Sequence, residues 1–215
     1  RSDTDIQRKL ARAKINQKNI SLYLLDSDDT WIRDYGPITV YNRGKPLLLD
    51  FEFNGWGGKF KAKQDNRVTE ELKKTGAFGA RPLQAVDWVL EGGGIETDGA
   101  GTLLATRRCL LNPNRQKGVT PAKMESHLKR WFGIDRVLWL DHGRLEGDDT
   151  DSHIDMLVRF VDPETLVYQH CEDLADPHFP DLAAMREQLK DFRTRKGRPY
   201  RLVPLPWPQI HRDEK

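Results

Sequence analysis

A chain of 215 residues, 37% hydrophobic and 32% charged, can bury a substantial core in one or two domains and lies on the polar side of globular composition. Thirty-five basic against thirty-three acidic side chains leave a net charge of +2, which excludes a nucleic-acid surface built on charge. No apolar run approaches the roughly 18 residues that a bilayer span requires, and Cys109 and Cys171 offer neither a disulfide framework nor metal-ligand spacing, which fits a reducing, cytoplasmic setting.

In chain order, residues 3–15 place Ile6, Leu10 and Ala13 on one helical face and are too polar for a signal peptide. Residues 20–25 read as a buried strand, followed by a polar turn at 26–30 and the stretch from Trp31 to Pro37. Strands at 38–41 and 46–51 flank Asn42-Arg-Gly44, which is hairpin chemistry, and a glycine-rich loop at 55–58 leads to a helix at 68–74. The pattern recurs. A strand at 85–90 ends beside Glu91-Gly-Gly-Gly94, and a hairpin at 95–97 and 102–106 turns on Asp98-Gly-Ala-Gly101. A helix opened by Thr120-Pro121 carries Met124, Leu128, Trp131 and Phe132 and stops at Gly133, before a strand at 136–140. A third copy follows, with an acidic cluster, strands at 156–161 and 165–170 around Asp162-Pro-Glu164, a helix at 182–192 and a strand at 201–205. The basic run at 193–201 reads as the solvated end of that helix and its loop.

Asp34, Glu91 and Asp151 sit at comparable points of successive units, about 60 residues apart, the mark of a modular architecture in which no unit buries its own apolar face. The densest point is Glu146 to Asp155, with five carboxylates and one imidazole in ten residues. Like charges this close repel unless something positive compensates. A solvated acidic loop is the plain reading. If the units instead surround a common axis, Asp34, Glu91 and the cluster converge on a cation. The spacing completes no calcium loop, and no second histidine stands near His153 to hold a metal. A guanidinium fits two bidentate carboxylates in its plane, and Trp31 is placed to cover its face. His153 and Asp155, two apart on an expected strand, share one face, and the imidazole suits proton transfer near neutral pH.

Asp29-Thr-Trp-Ile-Arg-Asp-Tyr-Gly-Pro37, Leu90-Glu-Gly-Gly-Gly94, Leu110-Leu-Asn-Pro-Asn-Arg115 and Asp149-Thr-Asp-Ser-His-Ile-Asp155 together resemble the agmatine deiminase and bacterial peptidylarginine deiminase family. The resemblance implies an α/β pentein fold, a five-bladed propeller of pseudo-fivefold symmetry. Residues 1–215 would form a single deiminase domain, incomplete at both ends, with about three ββαβ units. It also implies hydrolysis of a small-molecule guanidinium, agmatine first, by a cysteine thiolate that forms an amidino thioether, with no cofactor and no metal. His153 would be the acid and base, with Asp34, Glu91 and Asp155 completing the catalytic set. Trp31, Asp34, Glu91, Asp155 and Asp151 would bind substrate. A homo-oligomer is compatible with such a chain, whereas no nucleic-acid or membrane partner is expected.

Two departures qualify this. The family's nucleophile lies in a Gly-Gly-x-x-His-Cys-like context that is absent here, and neither Cys109 nor Cys171 stands in a carboxylate-bearing turn, so the attacking group is expected outside this chain. Ser152 replaces a glycine usual in the motif. Peptidylarginine as substrate, a non-catalytic guanidinium-binding module and a metal-dependent hydrolase are the alternatives.

Overall fold

The computed structural model describes residues 3–208. Three sheets of three strands each repeat one plan: an antiparallel hairpin, a helical segment, then a strand that joins the hairpin in parallel. The first contains β1 (Ile38–Asn42), β2 (Lys45–Glu52) and β3 (Leu83–Val89). The second contains β4 (Glu96–Thr97), β5 (Thr102–Thr106) and β6 (Arg136–Leu140). The third contains β7 (Val158–Asp162), β8 (Thr165–His170) and β9 (Arg201–Pro206). The strand after each helix therefore closes the sheet of the hairpin before it, giving three ββαβ units of an α/β fold.

Local chemistry sets these elements. Asn42 pairs with Lys45 across a two-residue turn in which Arg43 (φ +49°) and Gly44 (φ +75°) are both left-handed, the backbone that matches hairpin twist. In helix Pro121–Phe132 the Thr120 side chain accepts from Lys123 N and left-handed Gly133 closes the end. Met124, Leu128 and Trp131 bury its face against Leu103 and Leu49 in a core shared by the first two sheets. Helix Phe179–Asp191 covers the third sheet through Leu182, Met185 and Leu189. Among the described residues no helix is long and apolar enough to cross a membrane.

Four expectations are corrected. Residues 20–25 form no strand, and most are exposed. They follow helix Asp3–Arg12 as β3, β6 and β9 follow theirs, but no hairpin precedes that helix among the described residues to receive their backbone groups. The third hairpin begins at Val158, because residues Ile154–Met156 wind into a 3-10 turn, so Asp155 lies in that turn and His153 at its N-cap rather than on a strand. The acidic turn also groups with the strand after it, not with the one before. Cys109 lies in a helical turn, Arg107–Leu110, capped by the Thr106 hydroxyl, and not in the outgoing strand.

One short turn precedes each hairpin: Ile32–Tyr35, Gly92–Gly94 and Ile154–Met156. The middle one packs against both others, which brings the three units together at one point.

Candidate active site

The glycines between Glu91 and Ile95 make this packing possible. A Cβ on Gly92 would collide with the Arg33 carbonyl oxygen. One on Gly93 would stand 2.5 Å from His153 Nδ1, 2.7 Å from Asp34 Oδ1 and 2.9 Å from Asp155 Oδ2. Three of the side chains expected in the site, from the first and third units, thus meet on one backbone atom of the second. These glycines serve close approach between segments.

Asp34 is fixed from both sides. Gly93 N donates to its Oδ1 at 2.9 Å and Trp56 Nε1 to its Oδ2 at 2.9 Å. The loop before it is anchored by fully buried Asp65, whose Oδ1 accepts from Asp28 N and Asp29 N at 2.7 and 3.1 Å. Trp31 heads the turn carrying Asp34 and leaves 60% of its surface exposed, as a wall facing solvent would and a core residue would not.

His153 is 2% exposed, with Nδ1 3.6 Å from Asp34 Oδ1 and Nε2 3.7 Å from Glu91 Oε2. Burial disfavours its charged form. Contacts with Cys109 and Glu91 and the field of Asp34 outweigh that and push its pKa up to about 10, which favours the charged ring. Asp155 is the opposite case. Burial, reinforced by the Asp34 charge, raises its pKa, and among the described residues no hydrogen bond reaches its carboxylate.

Glu91 is fully buried and holds a cation supplied by the chain. Arg115 Nε donates to its two oxygens at 3.0 and 3.3 Å, both side chains being at most 1% exposed. Arg115 Nη1 pairs with Asp151, and Nη2 donates to Thr150 O at 2.9 Å. Asp151 also meets Lys59 Nζ at 2.8 Å through Oδ1, while Asn114 Nδ2 donates to its Oδ2 at 3.1 Å. Burial opposes ionisation of Asp151, but Lys59, Asn114 and Arg115 hold its pKa below the usual carboxylate value. Asp151, expected among the substrate carboxylates, meets the chain's own cations Lys59 and Arg115, whereas the two oxygens of Asp34 accept only from neutral donors. Asp148 serves the turn, accepting from Thr150 N at 2.8 Å and Ser152 N at 2.6 Å.

Cys109, which had no expected role, sits beside this cluster. Its Sγ is 4.0 Å from Glu91 Oε2, and it is fully buried, with burial pushing the thiol pKa up despite the nearby His153. Ligand atoms of Glu91, Cys109 and His153 lie within 4.8 Å of one another, a spacing a metal could accept. The Arg115 guanidinium is already paired with Glu91 there, so one of the three donors is committed to a cation of the chain itself. Cys171 lies 1% exposed at the end of β8, its Sγ 3.7 Å from Asp173 O.

Arg115 and Trp56 are the residues that sequence reasoning missed. Arg115 closes the Asn112-Pro-Asn-Arg115 turn, and its signal was a lone cation downstream of an apolar stretch in a chain with an uncompensated acidic cluster. Trp56 was hidden in the glycine-rich loop, where it is left-handed at φ +54°.

A family profile described as Porphyromonas-type peptidyl-arginine deiminase matches residues 2–215. The chain is 36% identical over 213 residues to an agmatine deiminase of Ectopseudomonas mendocina, covering 95% of this chain and 57% of that enzyme. It is similar to the structure of a C. jejuni agmatine deiminase with substrate bound, in which one cysteine is replaced by serine (38% identity, TM-score 0.85, 97% of this chain and 60% of that one). It is also similar to an arginine deiminase candidate from Porphyromonas gingivalis (45% identity, TM-score 0.88, 96% and 62%). The chain thus spans little more than half the length of the curated relatives it matches.

Proposed function

Because the chain belongs to the Porphyromonas-type peptidyl-arginine deiminase family, we propose that it supplies the substrate-binding and proton-transfer side of a hydrolase that converts agmatine to N-carbamoylputrescine and ammonia. The observation that carries this reading is the meeting of Asp34, His153 and Asp155 on Gly93, with the Asp155 carboxylate half-buried and, among the described residues, without a hydrogen bond. A half-buried carboxylate whose pKa is raised costs stability when ionised, and a guanidinium laid between Asp34 and Asp155 relieves that cost through charge-assisted hydrogen bonds. Trp31 walls the substrate. Asp151 serves the protein's own cations instead of the substrate.

The chemistry follows from the charges. A cysteine thiolate from outside residues 1–215 attacks the guanidinium carbon, and the bond to one terminal nitrogen breaks after that nitrogen takes a proton from the His153 imidazolium. Ammonia leaves and an amidino thioether remains. Water then adds as neutral His153 accepts its proton, and collapse to the ureido product expels the thiolate. A bound guanidinium places a like charge beside the imidazolium and lowers its pKa from about 10 towards working pH, which eases both transfers. The cysteine-to-serine replacement in the substrate-bound C. jejuni structure supports a cysteine as the attacking group. The buried, free cysteines suit the reducing cytoplasm, and the product places the enzyme in putrescine and polyamine biosynthesis.

The test is an assay of the full-length protein for ureido product and ammonia with agmatine, free arginine and an arginyl peptide. Turnover of agmatine above the others supports the reading. Turnover of the peptide alone reassigns the substrate to peptidylarginine, and a folded protein that binds agmatine but turns over none of the three is a guanidinium-binding module.

A further inference from the structure

The acidic cluster is compensated by Arg115, whose hydrogen bonds use the fork of its guanidinium on two separate segments. One is Glu91, held by Nε; the other is the turn that presents His153, held by Nη1 at Asp151 and Nη2 at Thr150 O. Nη1 also donates to Asn114 Oδ1 at 2.9 Å. That turn is strained. Asp151 (φ +63°) and Ser152 (φ +70°) are consecutive non-glycine residues in the left-handed region, which persist only where the surroundings over-determine them. His153 comes next, its N–H donating to Thr150 Oγ1 at 3.0 Å, and the Thr106 hydroxyl donates to Ser152 O at 2.6 Å.

We infer that Arg115 is a positioning residue of the proposed deimination: its guanidinium ties Glu91 to the strained turn 150–152 and so fixes the His153 ring between Glu91 and Asp34. It reaches no reacting atom, and what the geometry is for rests on the proposed function. Lys59 does not duplicate it, since Lys59 holds Asp151 Oδ1 and donates to Asp149 O at 2.6 Å but makes no bond to Glu91. A lysine at 115 would keep the charge and lose the fork, because one ammonium cannot hold both segments in one plane. The charged and titratable groups facing His153 are Asp34, Glu91, Asp155 and Cys109, and those facing Glu91 are Arg115, His153 and Cys109.

The experiment compares Arg115→Lys and Asp151→Asn with wild type in the full-length protein. It reads the unfolding midpoint, kcat and KM with whichever substrate wild type turns over, and the NMR titration of the His153 ring. For Arg115→Lys the expected result is a folded protein, KM within about threefold and kcat down about 100-fold, the cost of misplacing a catalytic group by about 1 Å. The His153 titration should fall by about one unit or more as Glu91 slackens away from the ring, a shift that unchanged net charge cannot itself produce. Asp151→Asn, which leaves Glu91 held and releases the turn, should lower kcat by about tenfold, and it decides the matter if the lysine variant does not fold. Kinetics per folded molecule and a His153 titration equal to wild type, even with a lowered midpoint, would overturn the inference. If wild type turns over no substrate, the proposed function falls, while the titration still decides what Arg115 does.

Discussion

Gly93→Ala tests the convergence on which the functional reading rests. The backbone at Gly93 is one that any residue can adopt, so the perturbation is steric. The added methyl would lie 2.5 Å from His153 Nδ1, 2.7 Å from Asp34 Oδ1 and 2.9 Å from Asp155 Oδ2, where ordinary contact begins at 3.4 Å. Relief requires the imidazole to retreat by about 0.9 Å, Asp34 by about 0.7 Å and Asp155 by about 0.5 Å, in different directions and against close packing. If the three groups act as proposed, retreat of the imidazole and of both carboxylates is a misplacement of nearly 1 Å, which costs about 100-fold in rate, or about 2.7 kcal/mol of transition-state stabilisation. Steady-state kinetics of ureido formation by the full-length variant, with far-UV circular dichroism to confirm folding, measures this. A folded Gly93→Ala enzyme with kcat/KM within threefold of wild type would refute the geometry, because no active arrangement keeps all three groups where they stand.

Three further outcomes are expected. Ser152→Gly removes a left-handed non-glycine residue whose side chain has no hydrogen bond among the described residues. Relief of about 1–2 kcal/mol of strain, less about 0.5–1 kcal/mol of added chain entropy, should raise stability in urea titration by about 0.5–1 kcal/mol, and a loss would contradict the strain. Cys109→Ala should keep kcat within about tenfold, as expected of a fully buried thiol with a raised pKa, whereas a loss beyond about a thousandfold would make Cys109 the nucleophile. For His153 the folded-state pKa stands above its ordinary 6.5, so its stabilising contribution is present in full below pH 6.5 and is lost as pH rises through about 10. Unfolding free energies from urea titrations at pH 6 to 10 should fall more steeply in wild type than in His153→Gln, by a difference on the order of a few kcal/mol. Parallel curves would show that the ring is not charged in the native site.

The electrostatics give this site its logic. Asp34, Glu91, Asp151 and Asp155 are gathered where Arg115, Lys59 and His153 stand, and the carboxylate that has neither an ion pair nor a hydrogen bond among the described residues, and feels His153, Arg159 and Arg33 only through their field, is Asp155. That imbalance points to a cationic ligand more directly than the number of carboxylates does.

By itself, the sequence determined the repeat and pointed to the family. Alternation, turn glycines and caps are local signals, so β6, β8 and the helix at Pro121–Phe132 could be placed nearly to the residue, the recurrence of an acidic turn singled out Asp34, Glu91 and Asp151, and the two-residue spacing of His153 and Asp155 together with the family resemblance added that pair. What depends on contacts between units was decided only by the tertiary structure. Residues 20–25 carry a strand's composition but have no hairpin to join. Asp151 matches the other carboxylates in spacing yet is claimed by Arg115, 36 residues away, and by Lys59 across the site. His153 and Asp155 come together through a 3-10 turn and the bare face of Gly93 rather than through strand alternation. Periodicity reports which face a residue takes on its own element. Which cation neutralises a carboxylate, and where a missing Cβ lets three side chains meet, is settled by segments distant in the chain.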